Sequence, residues 1–281
     1  MIIDEKFLEQ KWQSLTIQDN FIFSRVMEEN PDLCQQMIEM ILNVKIVKLN
    51  YPEREKTIES RLDSKGIRLD VYVEDEYGRR SFDVEMQICD SVHLAKRIRY
   101  YQGLIDVDKL KRGQHYGELS ESYIIFICPF DHFHKGRHIY TFREYCSQDP
   151  TIPLGDGTVK VFLNTKGTLD DVSAEIKNML EYIDKNIVAG EFVEKLNTAV
   201  CDVKSMKKAR LDFMTFEMYL KEREMKGREE GRVEGLKEGR AEATVEIIKN
   251  LISAGTPLEY IARATGWSQD KILQAKNENL S

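Results

Sequence analysis

The chain has five cysteines, at positions 34, 89, 128, 146 and 201, an odd and scattered set with no CxxC pair. That excludes a disulfide framework and gives no structural zinc site of the usual spacing. No apolar run reaches the roughly 18 residues a membrane span requires. The opening segment, MIIDEKFLEQKW, has no basic stretch followed by a long apolar one, so no secretion signal is read there and a cytoplasmic location is expected. Neither GxxxxGK[ST] nor GxGxxG occurs, which argues against nucleotide-driven chemistry. GxSxG and a paired Cys–His arrangement are also missing, so nothing points to a covalent nucleophile. Positive charge is short as well: the net formal charge is −7. Affinity for DNA rests largely on neutralising phosphates, so such a chain must rely on local basic segments. Two stand out, Lys96–Arg97–Arg99 and Lys109–Lys111–Arg112.

The 281 residues suffice for one sizeable core and a smaller appendage. The first 45 residues read as helical. Leu33, Met37, Ile41 and Val44 recur at three- and four-residue spacing, behind an Asn30–Pro31 start signal. A short strand is expected in IVKLNY. Residues 66–88 carry the clearest pattern. Ile67, Leu69, Val71 and Val73 alternate with Arg68, Asp70, Tyr72 and Glu74; after DEYGRR, Phe82, Val84, Met86 and Ile88 alternate with Asp83, Glu85 and Gln87. Period two on both sides of a glycine-bearing turn predicts a β-hairpin. A helix follows from about Val92, with Leu94, Ile98, Tyr101 and Ile105 on one stripe. YIIFIC then reads as a strand buried on both faces. HIYTF and VKVFLN supply further strands, and a helix in DVSAEIKNMLEYI is expected to close this domain near residue 190.

The remainder differs. Residues 191–250 are set apart as a segment in which about 205 to 250 reads as one long charged helix. It contains a four-residue repeat, with Gly at 227, 231, 235 and 239 and Glu at 230, 234, 238 and 242. A solvated spacer is the plainer reading; a self-associating helix, making a homo-oligomer, is the sharper one. Residues 251–281 read as a small helical hairpin of helix-turn-helix-like layout. Thr256 to Glu259 has the form of a capping box, Gly266 is a stop, and Ser268 is the next cap.

A turn centred between Tyr77 and Gly78 sets Asp70 opposite Glu85, Tyr72 opposite Asp83 and Arg68 opposite Gln87. The apolar residues of both strands then share the other face. Opposed side chains lie about 5 Å apart at Cβ, so three carboxylates would crowd one face. Either a divalent cation neutralises them, Mg²⁺ or Mn²⁺ with its preference for oxygen ligands, or the face is solvated and Arg68 pairs with the acids. His132, His134 and His138 cluster without a fourth ligand of matching spacing, a weak case for zinc.

GIRLDVYVEDEYGRRSFDVEMQ resembles the active-site hairpin of the PD-(D/E)XK nucleases. RLDVYV, DVEMQ, KRIRYYQ, YIIFICPFD, HIYTF and LGDGTVKVFLNTKG together resemble the Rpn recombination-promoting nucleases, transposase-like proteins, over most of residues 15–190. The resemblance implies an α/β fold, the restriction-endonuclease-like αβββαβ core with a mixed sheet, followed by a C-terminal helical arm. It implies a metal-dependent DNA endonuclease with a link to recombination. Asp70 and Glu85 would be metal ligands, and Gln87 would stand in the motif's third position. Gln102 of the helical YQ would join them, and an acid of the first helix (Asp19, Glu28 or Glu39) would complete the site. Lys96, Arg97 and Arg99 are expected to bind the DNA backbone. The wider superfamily has lysine where this chain has Gln87; Lys65 or Lys96 could supply the missing charge. The rival reading is an inactive DNA-binding or oligomerising module on the same fold.

Overall fold

A computed structural model of the chain describes residues 5–50, 52–58 and 66–277. Two compact units divide it, residues 1–214 and 215–281.

The first unit is a six-stranded mixed sheet with helices on both faces. In chain order its elements are α1 (Glu5–Ser14), α2 (Asn20–Glu29), α3 (Pro31–Leu42), β1 (Glu53–Ile58), β2 (Ile67–Glu74), β3 (Arg80–Met86), α4 (Leu94–Lys109), β4 (Glu121–Cys128), β5 (Ile139–Phe142), β6 (Thr158–Asn164), α5 (Ala174–Lys185) and α6 (Glu191–Ser205). The strands lie in the order β1-β2-β3-β4-β6-β5. β1, β2 and β3 form an antiparallel meander, β4 and β6 run parallel to β3, and β5 closes the edge antiparallel to β6. This is the expected α/β arrangement, with α2 and α3 before the meander and α4 as the crossover to β4.

Two cores flank the sheet. Ile125, Ile127, Val84 and Val161 pack with α2, α3, α5 and α6, whereas Ile124, Phe126 and Cys128 pack with Leu94, Ile98 and Tyr101 of α4. Both faces of β4 are thus covered, as its unbroken apolar run requires.

Two expectations change. The first strand is not IVKLNY: among its described residues only Leu49 makes an isolated bridge, to Asp75. It is EREKTI, a charged edge strand whose long side chains cover aromatic rings: Lys56 Nζ lies 4.0 Å from the Tyr72 ring centre and the Arg54 guanidinium 5.5 Å from that of Phe21. Cationic side chains with apolar stems suit such an edge. The domain boundary also moves. Helix α6 buries Phe192, Val193, Leu196 and Val200 in the first core, and Ala209 and Phe213 follow them, so the unit ends near Met214 rather than at 190. The long helix α7 runs from Lys207 to Ser253, as the charged pattern from about 205 to 250 predicts.

The second unit holds the rest of α7, α8 (Leu258–Thr265) and α9 (Gln269–Asn277). Ile248, Ile261 and Ile272 form its small core, with Leu251, Leu258 and Trp267 against them. Gly266 ends α8 in the left-handed conformation, φ 73°, and Ser268 Oγ accepts from Lys271 N at 3.4 Å. The capping box does not form. Pro257 itself occupies the cap of α8, and Thr256 N donates to Leu251 O. Among the described residues no helix is long and apolar enough to cross a membrane.

Candidate active site

The hairpin turns where its pattern predicts. Gly78 has φ +64°, a backbone region open to glycine, and Gly78 N donates to Asp75 O. Tyr72 pairs with Asp83 and Val71 with Val84, the expected register. Beyond that pair the β2–β3 ladder stops. Arg68 does not reach Gln87; it pairs with Thr57 of β1, and its guanidinium lies 3.9 Å from Glu55.

The reason is a change of face at Asp70. Val71 and Val73 lie in the core of α2 and α3, but Ile67 and Leu69 lie in the core of α4, so the apolar residues of β2 do not share one face. At the switch, side chains take over the ladder. Asp70 N donates to Glu85 Oε1 at 2.9 Å, and Met86 N donates to Asp70 Oδ2 at 3.1 Å. The other Asp70 oxygen, Oδ1, accepts from Asn20 Nδ2 at 3.1 Å, from the first turn of α2.

All three hairpin acids are buried: Asp70 is 4 % exposed, Asp83 1 % and Glu85 2 %. Burial pushes the Asp70 carboxyl up to about 6, against the opposing pull of the Met86 N–H and nearby arginines. Burial and then the Asp70 charge push Glu85 up to about 8. Asp83 is raised well above the carboxylate range, by burial first and then by Glu85 and Asp70. Among the described residues neither Asp83 oxygen has a hydrogen-bond donor.

Arg97 of α4 is the cation of this group. Its NH2 lies 3.0 Å from Glu85 Oε2, its NH1 2.6 Å from Gln87 Oε1, and its Nε 2.8 Å from Tyr101 Oη. Gln87 follows β3, its backbone N–H on Ile127 O and its side-chain amide on Cys89 O. Arg68, His93, Lys96, Arg97 and Tyr100 line an open groove of about 600 Å³ beside the acids.

The structure thus gathers Asp70, Glu85, Gln87 and Arg97, with Lys96 on the adjoining groove. Arg99 is exposed and absent from the groove lining, since a helix places it about 160° around from Arg97. Gln102 is buried and donates to Asp106 Oδ1 at 3.0 Å, one turn further along. The first-helix acids are engaged elsewhere: Asp19 Oδ2 accepts from Thr16 N, Glu28 pairs with Arg25 and Arg54, and Glu39 holds Ile46 N and Lys45. Asn20 is the helix residue that touches Asp70, a contact that α2 packing creates and no spacing announces. Lys65 lies outside the described residues. The histidines do not converge: His132 faces Asp90 at 2.6 Å and His138 faces Asp171 at 2.9 Å.

Among the described residues no three His, Cys, Asp or Glu side chains form a ready metal cage. A hard cation such as Mg²⁺ needs only one or two carboxylates, with waters and phosphate oxygens for the rest. Buried acids crowded together, with Asp83 lacking any donor to its carboxylate form, fit that demand.

A mixed sheet carrying buried acids at the parting of its second and third strands defines a nuclease-like α/β domain. Residues 19–147 match the family model described as PD-(D/E)XK nuclease family transposase. No curated protein and no solved structure matches the chain significantly.

Proposed function

We propose that the chain is a metal-dependent DNA endonuclease that hydrolyses phosphodiester bonds by attack of water, using Mg²⁺ or Mn²⁺, in a transposition or recombination setting. The observation that carries this reading is the interlocked pair Asp70 and Glu85, buried and close in a domain that matches this family model. Asp70 and Glu85 would hold the cation, which would polarise the scissile phosphate and ease ionisation of the attacking water. Asn20 orients Asp70, the buried strand backbone fixes both acids, and Gln87 would hold a water or a phosphate oxygen through its amide. Lys96 would neutralise backbone phosphate along the groove.

The deciding experiment is nicking of supercoiled plasmid in Mg²⁺, Mn²⁺ or EDTA, beside Asp70→Asn and Glu85→Gln. Metal-dependent nicking that falls by about 100-fold or more in both variants supports the reading. Undiminished cleavage by either variant removes it. One observation favours an inactive DNA-binding module instead, the uncharged Gln87 in the motif's third position; for that reading, calorimetry with Mg²⁺ shows no heat dependent on Asp70.

A further inference from the structure

Gln87 leaves the motif's third position without a charge, yet the site has a cation. The guanidinium of Arg97 spans Glu85 Oε2, Gln87 Oε1 and Tyr101 Oη, all within 3.0 Å. It comes from α4, so no motif in the hairpin encodes it. Each contact has a distinct consequence. Glu85 Oε1 accepts from the strand backbone N–H of Asp70, a fixed partner, whereas the partner of Oε2 is a side chain that can move and yield to a metal. That side chain is Arg97. A divalent ion and a guanidinium on one carboxylate oxygen repel each other strongly in a buried setting. Binding of one therefore loosens the other.

Arg97 would not then be lost from the site. Its Nε stays on Tyr101 Oη, and its guanidinium lies 4.9 Å from the Tyr101 ring centre and 5.6 Å from that of Phe126. These contacts hold the stem while NH1 and NH2 change partners. The Arg97 side chain is 40 % exposed, against 2 % for Glu85, and it lines the groove with Arg68 and Lys96. A planar guanidinium fork facing such a groove matches two oxygens of one phosphate.

We infer that Arg97 is the positioning cation of this site, delivered from α4 in place of the motif lysine, and that it exchanges Glu85 for a phosphate oxygen of the DNA when a divalent ion takes Glu85 Oε2. This rests on the nuclease reading above. It assigns Arg97 a metal-linked role, in contrast to a backbone clamp that grips DNA whether or not metal is bound.

The test is DNA affinity by fluorescence anisotropy, for the full chain with a labelled oligonucleotide, in EDTA and in Ca²⁺ raised until binding no longer changes. Wild type, Arg97→Gln, Arg97→Lys and Asp70→Asn are compared. The expected result is that Ca²⁺ tightens wild-type binding and that Arg97→Gln weakens binding about ten-fold in Ca²⁺ but less than about two-fold in EDTA. Arg97→Lys recovers part of the loss, because a lysine keeps the charge without the fork; it also serves as the second variant should the glutamine protein fail to fold. Equal losses with and without Ca²⁺ make Arg97 an ordinary clamp and overturn the inference, as does no loss in either. If Ca²⁺ leaves wild-type binding unchanged and Asp70→Asn behaves like wild type, the nuclease reading itself fails and takes the inference with it.

Discussion

Asp70 and Glu85 are joined through backbone as well as side chain: the N–H of Asp70 donates to Glu85 at 2.9 Å, while Asp70 accepts from the N–H of the residue after Glu85. Each acid therefore fills a rung of the ladder that the parting strands leave open. Position, burial and charge at this point are set together, and the predictions below separate them.

Among the described residues Asn20 meets the site at Asp70 Oδ1. Asn20→Ala is expected to weaken Mg²⁺ or Mn²⁺ binding by about 10- to 100-fold, the usual cost of losing a group that orients a ligand. Calorimetry with the metal alone measures this, and unchanged affinity would show that Asp70 is oriented by the strand backbone without help.

Stability should depend on pH through the acids. Burial raises Asp70 to about 6 and Glu85 to about 8, with the Asp70 charge adding to the latter. The folded chain thus binds more protons than the unfolded chain from the ordinary carboxylate range upward. Their contribution is fully present at low pH and is lost as pH rises through about 6 and then about 8. In EDTA, Tm should fall between about pH 5 and about pH 9, and Glu85→Gln should flatten that slope. Mg²⁺ favours the ionised acids, so its stabilisation should grow over the same interval. An unchanged slope in Glu85→Gln would assign the pH dependence to other groups.

The domain should end near Met214. Phe213 is buried and packs on Trp12 and Phe21, with ring centres 5.4 and 5.3 Å away. Phe213→Ala is expected to cost about 3–5 kcal/mol in chemical denaturation. A chain ending at residue 214 should unfold cooperatively, whereas one ending at 190 exposes the surface that α6 covers and should not. Cooperative unfolding of the shorter chain would return the boundary to 190.

In α7 the glycines at 227, 231, 235 and 239 have nothing within 4 Å of an added Cβ. Replacing all four by alanine should raise helix stability by about 1 kcal/mol per site, read as a higher melting temperature by circular dichroism. Sedimentation should be unchanged. Loss of an oligomer in the variant would instead give the glycines a contact between chains.

The hairpin was legible because two facts are local: alternation reports strands, and a glycine turn fixes which residues oppose. Tyr72 against Asp83 follows from those alone. The face switch at Asp70 was not legible, since IRLDVYV alternates perfectly while the strand changes core midway. β1 was hidden for the opposite reason, a charged sequence whose stems rather than apolar residues cover the rings. Asn20 and Arg97 reach the acids from α2 and α4, so their roles depend on how helices pack on the sheet. Arg97 stood out in the sequence only as one member of a basic run, which hid its difference from Arg99.

The shared rungs at the strand parting also bear on how such a site decays. A lineage released from cutting DNA could not discard Glu85 at no cost, because the N–H of Asp70 would then be buried without an acceptor. Selection for folding alone would retain an oxygen at that place. On the proposed reading Arg97, which among the described residues gives its side chain to no backbone group in the site, would be freer than Glu85 to drift once catalysis ended. The arginine on α4, more than the acids, is where a silent descendant would reveal itself.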